Sequence, residues 1–116
     1  MRHHNRNKKF GRERDARRAL LRLLACSLIR DGKIKTTEIK AKVIRPFVEK
    51  LVTKAKKDSP ANRRVVLSVL GNSARTNKLF KEIGPKYVAR TGGYTRVIKL
   101  PIRKSDAAKM ALIEFV

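Results

Sequence analysis

At Thr91-Gly92-Gly93 the spacing of apolar residues changes from three and four to two. A three-to-four spacing lines up side chains along one stripe of a helix, whereas alternation places them on one face of a strand. A chain whose sustained change of this kind comes late in its length reads as mainly helices followed by a hairpin. The architecture compatible with that order is a layered α+β domain, with helices covering one face of a sheet.

The spacing predicts a first helix over about 13 to 30. Ala16, Ala19, Leu20, Leu23, Leu24, Ser27 and Leu28 form its stripe, and Leu21, Ala25 and Ile29 widen it. Asp31-Gly32 ends it, because glycine adopts the left-handed conformation that closes a helix. Lys33-Ile34-Lys35-Thr36-Thr37 is short and alternating, and reads as a brief strand or an extended connector. Thr37 is placed to cap a second helix, with Glu38 favourably set in its first turn. There Ile39, Val43, Phe47 and Leu51 make one apolar row, Ile44, Val48, Val52 and Ala55 the adjoining ones, and Pro46 is expected to bend the helix.

Ser59-Pro60 announces a third helix through Leu70. After Gly71-Asn72-Ser73, the residues Ala74, Leu79, Phe80 and Ile83 predict a fourth, stopped by Gly84-Pro85, with Tyr87 and Val88 adding one more turn. Tyr94 to Pro101 and Lys109 to Val116 read as strands of an antiparallel hairpin. The expected fold is α+β: a two-layer domain of about four helices packed on a small sheet of two to three strands, including the C-terminal hairpin. Residues 1–12 form an extended basic arm without apolar period, and residues 13–116 a single domain.

Charge decides what such a domain meets. The 116 residues hold 31 Lys+Arg against 9 Asp+Glu, a formal charge of +22, while 41% hydrophobic residues suffice for a modest core. Self-repulsion of that size calls for a polyanion. Basic clusters spread along the whole chain suit nucleic acid, where each neutralised phosphate releases counterions. The arm interleaves Phe10, His3 and His4 with its cations, the composition of a segment that orders on such a partner. RNA fits better than DNA, since its irregular junctions offer crevices to an arm and the chain shows no helix-turn-helix, zinc finger or basic zipper. Lys50, Lys54 and Lys57 are equally readable as a solvated helix face.

Other chemistries find no support. His3-His4 lacks further ligands at metal spacing, and Glu13, Asp15 and Glu38 each sit among cations as local charge balance. Gly92-Gly93 matches no nucleotide-binding loop. Cys26, the only cysteine, permits no internal disulfide and reads as helix core. Even Ala19 to Ile29 is interrupted by Arg22, so no bilayer span of about 20 apolar residues is expected. The opening residues carry no secretory pattern, and the protein is expected to stay in the cytoplasm. No cofactor, metal, small-molecule substrate, catalytic activity or obligate homo-oligomer is expected. Two other classes are open to the same charge: a DNA-compacting architectural protein and an rRNA-modifying enzyme.

Met1-Arg2-His3, A-L-L-R at Ala19 to Arg22, I-K-T-T at Ile34 to Thr37, K-A-K at Lys40 to Lys42 and N-R-R at Asn62 to Arg64 fall in a characteristic order. They are followed by K-L-F at Lys78 to Phe80, G-G-Y-T-R at Gly92 to Arg96 and M-A-L-I-E at Met110 to Glu114. Together these segments resemble, over the full chain, the family of the seventeenth protein of the bacterial large ribosomal subunit. Ala16, Leu23, Val43 and Ser105 depart from the family's usual histidine, asparagine, glutamate and glycine at those places. The resemblance implies a structural constituent of the large subunit that binds and stabilises 23S rRNA near the exit of the nascent-peptide tunnel, beside neighbouring large-subunit ribosomal proteins.

The candidate rRNA contacts are Arg2, His3, His4, Arg6, Lys8, Lys9 and Arg12 of the arm, and Arg14, Arg17, Arg18 and Arg22 of the first helix. Lys33, Lys35, Thr36, Thr37 and Lys40 follow, then Arg63, Arg64, Gly92, Gly93, Tyr94 and Arg96. Tyr94 has two readings, a contact to RNA or an aromatic packed against the sheet.

Overall fold

Arg14–Asp31 forms helix α1, with Asp15 in its first turn and Arg30 in its last, both favourable to the helix dipole. Gly32 closes it at φ 81°, its N–H bonded to the Leu28 carbonyl at 2.7 Å. The computed structural model describes residues 13–116, so the arm and its candidate contacts lie outside the described residues. The apolar stripe of α1 is rotated from the one expected: Ala25, Leu28 and Ile29 are buried, whereas Ala16 and Ala19 are exposed and Leu23 is 67% exposed. Apolar residues surround the middle of this helix, so packing against its neighbours, and not the period alone, selects the buried side.

Strand β1 (Lys33–Thr37) leads directly into α2 (Glu38–Ala55). Thr37 occupies the capping position, but its side chain makes no capping bond. Pairing within the sheet fixes Thr37 opposite Met110, and the Glu38 N–H is satisfied by the Lys109 carbonyl at 2.9 Å. The core side of α2 is Ala41, Ile44, Val48, Leu51, Val52 and Ala55, with Val43 and Phe47 half-buried and Ile39 exposed. The helix runs unbroken through Pro46. Lys42 and Pro46 both face solvent, so the carbonyl that loses its partner four residues before the proline lies on the side water can reach.

Helix α3 (Pro60–Leu70) starts at Ser59, whose hydroxyl accepts from the Asn62 N–H at 3.2 Å, and ends at Gly71 with φ 66°. The Asn62 amide donates back to the carbonyls of Lys54 and Lys57, tying α3 to the end of α2. Helix α4 (Ser73–Lys78), capped by Asn72, runs on as a π-helical turn over Leu79–Ile83 and then as α5 (Gly84–Lys86). Gly84-Pro85 therefore continues the helical path where a stop was expected. Proline is tolerated in a first helical turn, and Gly84 serves close packing: a Cβ there would stand 2.4 Å from the Ala55 carbonyl oxygen.

Strands β2 (Thr95–Leu100) and β3 (Met110–Phe115) form the expected hairpin, and β1 pairs antiparallel with the far side of β3. The order β1-β3-β2 puts the most apolar strand in the centre and the lysine-bearing strands at the edges, where charge discourages further pairing. Ile34, Ile113 and Val97 align in one row on the face that joins the helical core. On the opposite face lie the rows Lys33, Glu114, Arg96 and Lys35, Leu112, Ile98, with Thr37, Met110, Leu100 beyond them. Helices thus cover one layer only, as expected of an α+β two-layer domain.

Candidate nucleic-acid interface

The four-residue step of a helix carries Arg14, Arg18 and Arg22 along one side of α1, all three exposed. Arg17, one position from this line, is half-buried. Arg22 leans across to α3, its Nη2 at 3.4 Å from the Ser68 carbonyl oxygen. Beside it, the Cys26 thiol lies 3.9 Å from the Leu70 carbonyl. Burial pushes that thiol upward, against the opposing pull of Arg75 and Arg22. Arg75 therefore belongs to the same positive neighbourhood, although it is remote in sequence. Nothing in its polar segment marked it; the Asn72 cap that starts α4 places it there.

The two arginines of α3 separate in role. Arg63 forms a fork with Asp58, Nε to Oδ1 at 2.6 Å and Nη2 to Oδ2 at 2.8 Å, and also donates to Asn77 at 3.2 Å. Its guanidinium lies 4.9 Å above the Phe80 ring. The hydrogen bond from Arg63 holds the Asp58 carboxyl below its ordinary range. Arg63 is thus a brace for the start of α3, while its neighbour Arg64 is exposed.

Acid pairing divides the remaining cations. Every acidic side chain from Asp31 onward holds one: Arg30 with Asp31, Lys42 and Lys99 with Glu38, Arg45 with Glu49, Arg63 with Asp58. Lys78 pairs with Glu82, Arg96 with Glu114 and Arg103 with Asp106. Apart from Asp31 at the end of α1, these paired carboxylates lie outside that helix. Arg14, Arg17, Arg18, Arg22, Lys33, Lys35, Lys40, Arg64 and Arg75 form no ion pair with a carboxylate among the described residues. Lys50, Lys54, Lys56, Lys57, Lys81, Lys86, Arg90, Lys104 and Lys109 are likewise without one, so unpaired cations are spread over the domain, and the α1 group stands out by its alignment along one helix side.

That open face carries Lys33, Lys35 and Arg96 around an apolar strip in which Ile98 is 42% exposed, and Ile102 beyond β2 is 60% exposed. Thr36 falls on the opposite, helix-facing side of β1, and Lys40 sits half-buried in the first turns of α2. The helix and sheet groups thus occupy different faces, which the sequence could not separate.

The Gly92–Arg96 segment is built for packing. Gly92 and Gly93 hold φ values of 114° and 63°, conformations that favour glycine, and carry the chain into β2. Tyr94 is 1% exposed. Its hydroxyl takes a hydrogen bond from Lys56 Nζ at 3.0 Å and lies 3.3 Å from the Thr53 hydroxyl, while its N–H donates to Glu49 Oε2 at 3.2 Å. Its ring leans on Tyr87 at 5.3 Å between centroids, and Lys56 also donates to the Arg90 carbonyl. Of its two readings, the packed aromatic is the one the structure shows, since a side chain enclosed on all sides leaves no surface for a ligand.

Among the described residues no three His, Cys, Asp or Glu side chains are placed to hold a metal ion, and no helix is long and apolar enough to cross a membrane.

Comparison with known proteins adds an independent finding. A family model described as ribosomal protein L17 matches residues 20–116. A protein of Nautilia profundicola is 50% identical over 120 residues, spanning 100% of this chain and 98% of its own length. One from Hydrogenobaculum sp. is 50% identical over 117 residues, with 100% and 99% covered, and one from Persephonella marina 52% identical over 118 residues, with 100% and 95% covered. All three are named large ribosomal subunit protein bL17.

Proposed function

Since the chain belongs to the ribosomal protein L17 family, we propose that it is a structural constituent of the large ribosomal subunit that binds and stabilises 23S rRNA. The observation that carries this reading is the line Arg14, Arg18, Arg22, free of carboxylate partners among the described residues and continuous in sequence with the basic arm. Phosphate neutralisation by such a line releases counterions, so binding strengthens as salt falls. Binding is the function, and no catalytic step is assigned. The folded domain offers a rigid positive side, and the arm pins RNA segments that otherwise repel one another.

Placement near the nascent-peptide tunnel exit, in the cytoplasm, follows the family resemblance. The open face of the sheet, with its apolar strip inside a basic rim, suits a neighbouring large-subunit protein. Filter binding to a 23S rRNA transcript across a salt series tests the central reading. Replacing Arg14, Arg18 and Arg22 together by Gln is expected to flatten the dependence of log affinity on log salt by about 0.7 to 0.9 per lost contact. Deleting residues 1–12 is expected to flatten it further. Unchanged slopes in both, or tighter binding to duplex DNA than to rRNA, overturn the reading and favour the DNA-compacting alternative.

A further inference from the structure

Three helices meet in a groove of about 330 Å³ lined by Arg18, Leu21, Arg22, Phe47, Ser68 and Val69. Leu21, Phe47 and Val69 are partly buried against the core, so the floor is apolar, holds an aromatic ring and is backed by close-packed side chains. Arg18 and Arg22, one helical turn apart, supply a positive wall, and no carboxylate lines the groove. Arg22 is already drawn over it by the Ser68 carbonyl at 3.4 Å. Apolar floor and cationic wall on the same cleft match a ligand with a flat uncharged part joined to an anion.

We propose that this groove takes one unstacked nucleotide of a structured RNA, its base against Phe47 and its phosphate against Arg18 and Arg22. The proposal rests on the rRNA-binding reading and adds a recognition element to it, because bases splayed from loops and bulges are held by aromatic and arginine planes. The charge argues against a peptide occupant: two arginines at the rim favour an anion directly beside the apolar part, which a nucleotide always supplies. Stacking on an uncharged ring neutralises no phosphate and so releases no counterions, unlike the phosphate contacts around it.

The test uses the full chain and a 23S rRNA transcript. Phe47→Leu keeps apolar volume in the groove and removes the ring; its rRNA affinity is expected to fall about tenfold with the salt slope unchanged. Phe47→Tyr keeps the ring and is expected to bind within about twofold of the parent. Ultraviolet crosslinking of the parent complex, read by mass spectrometry, is expected to join Phe47 to a single nucleotide. Thermal melts of both variants report whether the fold survives, and if Phe47→Leu fails to fold, the photoproduct and the Phe47→Tyr affinity decide. Parent-like affinity of Phe47→Leu with no photoproduct at Phe47 overturns the proposal and leaves the rRNA reading standing. Absence of rRNA binding by the parent removes both.

Discussion

The arginine line of α1 and the Gly92–Arg96 segment carry comparably conspicuous sequence signals, yet they end in opposite environments. Arg14, Arg18 and Arg22 are exposed and form no ion pair among the described residues, whereas Tyr94 is enclosed by Tyr87, Thr53 and Lys56. Charge without internal compensation is left for a partner. A polar tip with internal hydrogen-bond partners belongs to the fold, because a buried hydroxyl left unpaired is costly. The contrast separates what this domain spends on its own stability from what it holds out to something else.

The sharpest way to break that contrast is Tyr94→Ala. Removing a fully buried aromatic is expected to cost about 3–5 kcal/mol in urea unfolding. Tyr94→Phe, which keeps the ring and loses only the bonds to Lys56 and Thr53, is expected to cost about 1 kcal/mol. By comparison, the triple replacement of Arg14, Arg18 and Arg22 by Gln is expected to leave stability within about 0.5 kcal/mol per site, as ordinary surface changes do. If Tyr94→Ala were as stable as the parent and lost only RNA affinity, the assignment of this segment to the core would fall.

An effect below that of Tyr94→Ala is expected at Gly84, which lets α5 approach the end of α2 at Ala55. Gly84→Ala places a methyl against the Ala55 carbonyl and is expected to destabilise by about 1–3 kcal/mol in thermal or urea unfolding. Its rRNA salt slope is expected to stay at the parent value, since the substitution neither adds nor removes charge.

The smallest effect concerns an exposed region that is charged but compensated. The fork from Arg103, helped by the Ala108 N–H, holds the Asp106 carboxyl down to about 2. A carboxyl depressed in the folded state contributes above its unfolded value near 4 and loses that contribution as pH falls toward 2. A carbon-detected NMR titration is expected to show Asp106 ionised at pH 3, with Asp31, Glu38 and Asp58 displaced in the same direction by Arg30, Lys42 and Arg63. An Asp106 midpoint near 4 would show that the hairpin loop leaves this fork open.

Periodicity made the order of elements legible, including the switch to strands after Gly93 and the limits of α3 between Ser59 and Gly71. It misplaced the buried sides of α1 and α2, where Leu23 and Ile39 satisfy a helical spacing yet face solvent. Both helices carry apolar residues on more than one side, and tertiary packing makes the choice. Gly84-Pro85 was read by its local habit of ending helices, while the determining fact, the nearness of Ala55, is long-range. The same limit applies to the candidate interface. The arginines of α1 follow from a four-residue step, but Arg63 was withdrawn into the fold by Asp58 and Phe80, and Arg75 and Phe47 reach Arg22 only through the packing of four segments.

The position of β3 sets an order of events. It lies between β1 and β2, so neither edge strand has a partner until this last strand in the chain is available. A ribosome delivers the amino-terminal part first. The helices are therefore synthesised before the sheet can close, and closure of the sheet is a late step in the making of this domain.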